Sequence, residues 1–353
     1  MVLRSVRVTN FRCIEECDVE LDSRRSLFTG PNASGKTSLL EALFFLGRGR
    51  SFRTRRLANV IRQGETEFRV VGRIGDAGAE IVAGVQGDRA GITARLSGRP
   101  VANVAELSAR FAPQVIDPDV HRLLEEGPVR RRRFMDWGVF HVEQGFLPTW
   151  QRYHRALKQR NAALRQNLPD AVVDLWDADL TAAGEALTWM RQQYIDRLRS
   201  PFVEVGAAFG MPVDLRFEPG WDLEGTLQVA IGRSRSRDRR LRATQCGPHR
   251  SDVAVLVGGV SAKDRVSRGQ QKLLAAALTL AQLQLQETDR PGCAALLLDD
   301  PAAELDRENL GRLLTVVGRI RCQLVVTSLQ TDIQELLQAD RVFHVEQGHI
   351  RAA

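Results

Sequence analysis

The sequence predicts an α/β fold in which a parallel sheet is combined with an antiparallel β meander and an α-helical insertion. A Gly-rich loop at 30–37 lies between a short apolar run and an apolar helix pattern, which is the order of a strand, a loop and a helix. Three alternating runs at 68–74, 80–85 and 92–96 are separated by turns rich in Gly and Asp. Between 113 and 243 the alternation gives way to amphipathic helices.

A chain of 353 residues can hold two domains, or one domain with a long insertion. The changes of pattern predict three segments. Residues 1–112 contain the loop and the meander, residues 113–243 form a mainly helical insertion domain, and residues 244–353 return to the α/β part. Two predicted helices of the insertion, Trp150 to Leu168 and Leu180 to Leu198, suit a short antiparallel pair and are too short for a long coiled-coil arm.

The Gly-rich loop fits the pattern G-x-x-x-x-G-K-[ST]. Its residues are Gly30, Pro31, Asn32, Ala33, Ser34, Gly35, Lys36 and Thr37, and Ser38 follows in the helix. The two glycines let successive backbone N–H groups point inward, and the helix N-terminus adds its positive dipole end, so the loop predicts a polyphosphate site. A chance match is the alternative, but both flanks have the required form. Only four of the 50 Lys and Arg residues are lysines, so Lys36 is not background composition.

Lys36 and Thr37 have defined roles in a loop of this kind. The Lys36 ammonium is predicted to reach the β- and γ-phosphates of ATP. The Thr37 hydroxyl is predicted to take one ligand position on Mg²⁺. ATP and Mg²⁺ are therefore the predicted cofactors.

An apolar run that ends in two acids supplies the expected metal partner. The run 294–298 leads into Asp299 and Asp300, as in a buried strand that delivers carboxylates to the C-terminal edge of a parallel sheet. Asp299 is predicted to hold Mg²⁺, directly or through water. Asp300 is predicted to orient or deprotonate an attacking water, so Lys36 and Asp300 are the candidate catalytic residues. Taken alone, the two acids would be better explained by a strand that ends in a solvated loop. The metal site is favoured because a phosphate loop needs an acidic metal partner on a neighbouring strand, and no other apolar run ends this way.

A second Gly-containing helix start precedes this strand. It consists of Ser267, Arg268, Gly269 and Gln270, before an apolar helix at 273–285. Such a start is either an ordinary helix cap or an anion-binding end. One chain does not need two triphosphate clamps. If the second clamp is real, the simplest arrangement is that it closes over the nucleotide held by another copy of the chain, so that ATP sits between two subunits.

Two arginine clusters are candidate contacts for a polyanion, and the formal charge of +7 agrees with such a partner. The first comprises Arg48, Arg50, Arg53, Arg55 and Arg56 around Phe52. The second comprises Arg233, Arg235, Arg237, Arg239, Arg240 and Arg242 around Asp238. Either cluster could instead be a solvated basic surface.

Cysteines and apolar runs bear on the cellular compartment. Cys13, Cys17, Cys246, Cys293 and Cys322 form no metal-binding pattern, and we expect reduced thiols. No apolar run approaches membrane-spanning length, and the first residues alternate as a strand. We therefore expect no membrane contact and a cytoplasmic protein.

The order of these motifs resembles the ABC-type ATPase heads of the SMC and DNA-repair group. In that family the corresponding elements are the Walker A loop (30–37), the signature (267–270), Walker B (296–300) and the D-loop (304–306). Further shared stretches are Asn10-Phe11-Arg12, Leu40-Glu41-Ala42, Gly49 to Arg53, Gly127-Pro128, Arg132 to Asp136, Leu157 to Asn161, Gly247 to Asp252 and Gly269 to Lys272. They span most of the chain in family order.

Within this group the chain resembles the recombination mediators that act with RecO and RecR. The resemblance implies that ATP binding drives a homodimer on DNA at gaps and at junctions of duplex and single strand. It also implies that slow, DNA-stimulated ATP hydrolysis promotes release, and that RecA is loaded downstream. The predicted DNA contacts are Arg50, Arg53, Arg55, Arg56, Arg132 and Arg133.

Some positions depart from the wider ABC pattern, and the missing switch histidine disfavours a transporter subunit. Arg268 stands where many ABC proteins have glycine, and Asp300 stands where they have glutamate. Ser328 lies near the position at which transporters use a histidine switch, and Gln114 is the nearest candidate for a glutamine loop. The alternatives are an ATPase subunit of another ABC-type assembly, such as a transporter or a nuclease-associated complex, and an ATP-gated scaffold without DNA contact.

Overall fold

The computed structural model describes residues 2–21, 24–76, 79–329 and 333–353. The side chains of Asp76, Ala79, Asp264 and Glu304 lie outside this description. Two compact units are present: Met1–Val120 with Gln286–Ala353 form the first, and His121–Leu285 form the second.

The described residues form the following strands and α-helices. The strands are β1 (Val2–Phe11), β2 (Ile14–Glu20), β3 (Arg25–Thr29), β4 (Glu67–Asp76), β5 (Ala79–Asp88), β6 (Ile92–Leu96), β7 (Arg99–Pro100), β8 (Ala112–Ile116), β9 (Val213–Glu218), β10 (Asp252–Val257), β11 (Val260–Ser261), β12 (Ala294–Asp299), β13 (Gln323–Ser328), β14 (Arg341–Glu346) and β15 (His349–Ala352). The helices are α1 (Lys36–Arg48), α2 (Ala105–Ser108), α3 (Arg122–Glu125), α4 (Pro128–Val142), α5 (Phe146–Arg165), α6 (Asp170–Asp174), α7 (Asp177–Ala208), α8 (Leu227–Leu241), α9 (Arg268–Asp289), α10 (Pro301–Glu304), α11 (Arg307–Arg319) and α12 (Ile333–Leu337).

The first unit contains an antiparallel sheet and a largely parallel sheet. The antiparallel sheet has the order β2-β1-β4-β5-β6-β7, and the three alternating runs of the sequence are its strands β4, β5 and β6. The other sheet has the order β15-β14-β3-β13-β12-β8, in which the strands from β14 to β8 run parallel. Both the parallel core and the meander of the predicted fold class are confirmed.

The register of the parallel strands brings three chain segments to one edge. Thr327 of β13 lies opposite Asp299 of β12, and Ser328 lies opposite Thr29 of β3. The carboxyl ends of β3, β12 and β13 therefore meet at the same level, which is where ligands bind in open α/β sheets.

Helix α1 is buried on almost every side, as expected for its run 39–46, which is apolar except for Glu41 and so has no wide polar face. Its Phe45 packs edge-to-face with Phe11 of β1 and Phe68 of β4, and the same core contains Leu297 of β12 and Val325 of β13. The helix ends at Gly49, a left-handed residue whose N–H donates to the Phe45 carbonyl oxygen at 2.8 Å. Burial of α1 fixes the position of the loop that precedes it.

The bounds of the two units differ from the segment bounds expected at 113 and 244. Strand β8 belongs to the first unit because it pairs in parallel with β12. Strand β10 belongs to the second unit because it pairs with β9 in the antiparallel sheet β11-β10-β9. Helix α9 starts in the second unit and ends in the first. Strand pairing that is distant in sequence thus sets the bounds, and the second unit is not purely helical.

The second unit is built on the antiparallel helices α5 and α7. Tyr153 of α5 lies against Gly184 of α7, where an added Cβ would be 3.1 Å from its ring, and Arg160 of α5 pairs with Asp177 of α7 at 2.7 Å. The predicted helix pair is confirmed, and α7 extends beyond its expected end at Leu198 to Ala208.

Two buried arginines connect the helices of the second unit. Arg160 is fully buried and binds Asp238 of α8 at 2.7 Å and the Thr244 hydroxyl at 2.8 Å. Arg191 of α7 binds Asp136 of α4 at 2.8 Å. Because a buried charge is costly unless paired, each of these arginines requires its acidic partner.

None of the helices in the described part of the chain combines the length and apolar character that a bilayer crossing requires. The cysteines at positions 13, 17, 246, 293 and 322 are all free thiols.

Replacement of Asp238 tests the buried ion pair. Asp238→Ala removes one of the two carboxylates that pair with the buried Arg160 guanidinium and leaves only Asp177. We expect a loss of about 3–5 kcal/mol in the free energy of unfolding. The matched control is Asp179→Ala, which removes an exposed pair with Arg152 and is expected to cost less than about 1 kcal/mol. All five tryptophans lie within 121–285, so tryptophan fluorescence during urea unfolding reports on this unit. Equal, small effects of the two substitutions would show that the buried pair of Asp238 and Arg160 does not stabilise the second unit more than an exposed pair does.

Candidate nucleotide-binding site

The loop between β3 and α1 packs against the end of β14 and the β14–β15 turn. A Cβ on Gly30 would lie 2.1 Å from the Val345 carbonyl oxygen, so only glycine fits at that position. The Gly348 N–H donates to the Ser34 carbonyl oxygen at 2.7 Å. Gly35, with φ of 113°, adopts a backbone conformation that favours glycine. The two glycines of the motif are thus required by close approach and by backbone conformation.

The loop has an exposed side and a buried side. Pro31, Asn32 and Ala33 are exposed, whereas Ser34 and Lys36 are buried. The Ser34 hydroxyl oxygen has no hydrogen-bond partner among the described residues. A buried hydroxyl without a partner is costly, and an anion bound in the loop would supply an acceptor for it.

The Lys36 ammonium lies at the mouth of the loop. Its Nζ donates to the carbonyl oxygens of Gly30 at 2.7 Å and Pro31 at 2.8 Å. Burial lowers the pKa of Lys36, while the charges of Asp300 and Asp299 act in the opposite direction. The cation therefore lies within electrostatic reach of both acids at the end of β12.

Thr37 and Asp299 meet at the edge of the parallel sheet. The Thr37 hydroxyl lies 2.9 and 3.0 Å from the two carboxylate oxygens of Asp299. The Thr327 hydroxyl donates to the same carboxylate at 2.8 Å. Burial raises the pKa of Asp299, and the hydrogen bonds from Thr327 and Thr37 lower it in part. Thr327 was not found from the sequence because its role depends on the register of β13 beside β12.

Asp300 occupies a left-handed backbone conformation at the start of α10, with φ of 47°. Its N–H donates to the carbonyl oxygen of Thr327 at 3.1 Å. Its carboxylate accepts from the Leu329 N–H at 3.4 Å. The charge of Asp300 also acts to raise the pKa of Lys36, and the catalytic role of Asp300 stays a prediction.

These residues fit a magnesium ion bound with a phosphate. Within the described part of the chain no group of three or more His, Cys, Asp or Glu side chains could hold a metal. Mg²⁺ commonly uses one or two carboxylates together with substrate phosphates and water. Asp299 and the Thr37 hydroxyl are thus the residues that would hold it.

A buried carboxylate on α1 links this site to the basic loop. Glu41 is fully buried, accepts two hydrogen bonds from Arg12 at 2.9 and 2.7 Å, and also accepts from the Ser51 hydroxyl. Arg53 lies 3.5 Å from the same carboxylate. The charge of Arg53 also lowers the pKa of Asp299. Arg53, predicted as a DNA contact, therefore also acts on the nucleotide edge. The motif residues Arg12 and Glu41 were noted in the sequence, but their pairing was not.

The other predicted DNA contacts differ in the exposure and the hydrogen bonding of their side chains. Arg55, Arg56 and Arg133 are exposed, and no ion pair is found for them among the described residues; Arg50 is exposed as well. Arg132 is half-buried, and its guanidinium donates to the Ser251 carbonyl oxygen at 2.6 Å. Burial and the nearby Arg191 charge lower the pKa of Arg132. Substitution of Arg132 would thus disturb packing as well as charge.

The signature segment begins α9 with a reciprocal cap. The Ser267 hydroxyl accepts from the Gln270 N–H at 3.3 Å, and the Gln270 side chain accepts from the Ser267 N–H at 2.9 Å. Arg268 is exposed and lies 3.8 Å from Glu125. The helix-cap alternative is therefore realised in the structure, and binding of an anion by the same residues stays a prediction.

The remaining predicted elements follow Walker B. Asp306 of the D-loop caps α11 by accepting from the Asn309 N–H at 2.9 Å, and hydrogen bonds from Asn309 lower the pKa of Asp306. Ser328 ends β13 and is fully buried. Gln114 lies within strand β8, with its amide 3.4 Å from Gln286, rather than in a loop.

Fold and site together define an ATPase head of the ABC type. The family model described as "RecF/RecN/SMC N terminal domain" matches residues 2–351 of the chain. The chain belongs to the RecF family of DNA replication and repair proteins. It is 38% identical to RecF of Pseudomonas syringae pv. tomato, with 99% of this chain and 98% of that protein covered, and 39% identical to RecF of Xanthomonas euvesicatoria pv. vesicatoria, with 98% and 96% covered.

Solved structures with low sequence identity show the same fold. The structure described as the recombination mediator protein RecF-ATP in the RecFOR pathway matches with a TM-score of 0.89 at 23% identity, covering 100% of this chain and 97% of that one. An Smc head bound to the C-winged helix domain of ScpA matches with a TM-score of 0.57 at 16% identity, covering 100% and 97%. The predicted fold class is confirmed by both.

Replacement of Thr327 tests the strand-end arrangement. Thr327→Val keeps the shape of the side chain but removes the hydroxyl that donates to Asp299. We expect Mg²⁺-dependent ATP binding to weaken by about tenfold, as for a lost hydrogen bond of ~1.5 kcal/mol to a charged group. Isothermal titration calorimetry with and without Mg²⁺ measures the change. Thr315→Val on the exposed side of α11 is the control, and equal affinities of the two variants would show that Thr327 does not support the site.

Proposed function

We propose that the chain is an ATP-operated DNA-binding protein of recombinational repair and replication restart. The observation that carries the proposal is the contact of Thr37 with Asp299 beside the Lys36 ammonium, which assembles a triphosphate and metal site from two distant chain segments. Membership of the RecF family supports the DNA-repair role. Reaction chemistry beyond ATP hydrolysis is not expected from these residues.

The residues of the site divide the work of binding and hydrolysis. The loop N–H groups and the N-terminus of α1 hold the phosphates, and Lys36 reaches the β- and γ-phosphates. Thr37 and Asp299 hold the metal ion, which, when bound, neutralises charge that develops on the phosphates. Asp300 orients the attacking water. Its carboxylate is one methylene shorter than the glutamate common in ABC proteins, and this supports slow hydrolysis that acts as a switch.

The second half of the nucleotide site is proposed to come from another copy of the chain. Ser267, Arg268, Gly269 and Gln270 close over the ATP held by the partner, so that ATP drives dimerisation. The reciprocal cap supports this role because it holds the start of α9 in a fixed conformation. ATP hydrolysis then releases the dimer.

We infer the DNA and protein partners from the family to which the chain belongs. Two relatives are DNA replication and repair proteins by name, and one solved relative is described as a mediator of the RecFOR pathway. We therefore propose that the ATP dimer binds gaps and junctions of duplex and single strand. There it acts with RecR and RecO to promote RecA loading. Arg50, Arg53, Arg55, Arg56, Arg132 and Arg133 are the proposed DNA contacts in the head and insertion.

Mass in solution tests the ATP-driven dimer. Light scattering with no nucleotide, with ADP and with ATP should show a dimer only with ATP. In Asp300→Asn the dimer should accumulate because hydrolysis is slowed while binding is kept. In Lys36→Ala it should not form, because the phosphates lose their main cation. A monomer throughout in the wild-type protein would contradict an ATP-driven dimer.

A mixing experiment tests whether the site is shared between two chains. Ser267→Arg and Lys36→Ala should each abolish ATP hydrolysis. A mixed dimer regains one intact site, formed by the loop of the Ser267→Arg chain and the signature of the Lys36→Ala chain. Up to about half of the wild-type ATPase activity should return, as expected for two sites related by symmetry. No recovery on mixing, with both variants folded, would place the signature in its own chain's site.

The exposed arginines Arg55 and Arg56 give the cleanest test of DNA binding by the head. Arg55→Gln with Arg56→Gln should reduce the slope of log affinity against log salt by about 2, because each phosphate contact releases about one counterion. ATP binding should be unchanged. Arg89→Gln with Arg99→Gln removes the same charge from another exposed position. Equal slopes for both double variants and wild type would leave the basic loop as a solvated surface.

A further inference from the structure

Helix α8 has two faces that use arginine differently. On its inner face, Arg235 pairs with Asp177 at 3.1 Å, with Asp170 at 3.5 Å and also with Asp174. Arg239 pairs with Asp170 and donates to the Leu168 carbonyl oxygen at 2.5 Å. Together with the buried pair of Asp238 and Arg160, these contacts fix the rotation of the helix.

The outer face carries Arg233, Arg237 and Arg240, which we call the outer arginine row. All three are exposed, and no ion pair is found for them within the described residues. At 100° per residue they fall within an arc of about 60°, and at 1.5 Å per residue they span about 10 Å of the helix axis. The acids that neutralise Arg235 and Arg239 lie on the opposite side and are already paired, so they cannot serve the row.

The row is unfavourable for the isolated helix. Arg233 and Arg237 are four residues apart, and Arg237 and Arg240 are three apart, so like charges are neighbours on one face. Attraction to the negative end of the helix dipole offsets the repulsion at Arg240, which lies in the last turn. It does not offset the repulsion at Arg233 and Arg237, which lie further from that end. A bound polyanion would turn this repulsion into attraction.

We propose that the outer arginine row of α8 is a contact surface for the phosphate backbone of DNA. This inference rests on the proposed DNA-binding function and places a contact in the second unit beyond Arg132 and Arg133. DNA presents a phosphate about every 3.4 Å of axis per strand, so a row of about 10 Å meets up to about three phosphates. Guanidinium groups match phosphate oxygens with paired N–H donors.

The composition of the face favours nucleic acid over an acidic protein. Protein interfaces have apolar and aromatic residues at their centre and few charges there. The exposed apolar residues of α8, Val229 and Leu241, lie at its two ends and not between the arginines. The centre of the face is charged, as in backbone contacts that carry no sequence information.

The test compares DNA affinity over a range of salt concentrations in the full-length protein with ATP. The variant Arg233→Gln, Arg237→Gln, Arg240→Gln should bind a labelled duplex with a single-stranded tail at least about tenfold more weakly at ~100 mM salt. Its slope of log affinity against log salt should fall by about 2–3. A second variant with lysine at the three positions should keep the wild-type slope. The control Arg89→Gln, Arg95→Gln, Arg99→Gln makes the same change in net charge in an exposed part of the β meander.

The outcomes separate this inference from the function on which it rests. Unchanged affinity and slope in the glutamine variant, with DNA binding by wild type, would overturn the inference alone and leave the row solvated or facing an acidic protein. An equal loss in the control variant would also overturn it, because net charge would then explain the effect. No DNA binding by wild-type protein would overturn the proposed function and the inference together. The tryptophan-detected unfolding midpoint checks that the α8 variants are folded, and far-UV circular dichroism checks the control variant, whose substitutions lie outside the tryptophan-containing unit.

Discussion

The contact between Thr37 and Asp299 is the interaction on which the first unit depends for its chemistry. It joins residues that are 262 positions apart in the chain. The loop alone offers N–H groups and an ammonium, and the strand end alone offers a carboxylate whose burial is unfavourable. When β12 lies beside β13, and β13 beside β3, the loop and the strand ends bring cation, hydroxyl and carboxylate together at one edge of the sheet.

In the second unit, buried charges connect helices. Arg160 and Arg191 are both almost completely inaccessible. Arg160 binds the carboxylates of Asp177 and Asp238 and the Thr244 hydroxyl, whereas Arg191 binds the Asp136 carboxylate and the Pro248 carbonyl oxygen. Replacing such pairs by apolar residues often costs nothing, so they are weak evidence for stability. Their directional hydrogen bonds do fix which helix lies beside which. This matters for α8, because the ion pairs of its inner arginines fix the rotation of the helix and leave its outer surface facing solvent.

Sequence patterns predicted those features that depend on neighbours in the chain. The phosphate loop was found because its glycines, lysine and threonine act within eight consecutive residues, and Walker B was found because a buried strand is apolar throughout. Thr327 and the pairing of Arg12 with Glu41 were missed, because each depends on contacts between distant segments. The arginine cluster of α8 shows the same limit. Composition could not show which of these arginines are paired with acids and which are exposed. The positions of Asp170, Asp174 and Asp177 in the structure show this.

The split of the first unit has a consequence for biosynthesis. Leu27 of β3 is flanked by Val326 of β13 and Val342 of β14, and roughly 300 residues are translated between them. At about 5–20 residues per second, β3 waits roughly 15–60 s for its neighbours. An apolar strand without partners is a template for aggregation. The nascent chain therefore needs shielding during this interval, by chaperones or by early folding of the antiparallel sheet.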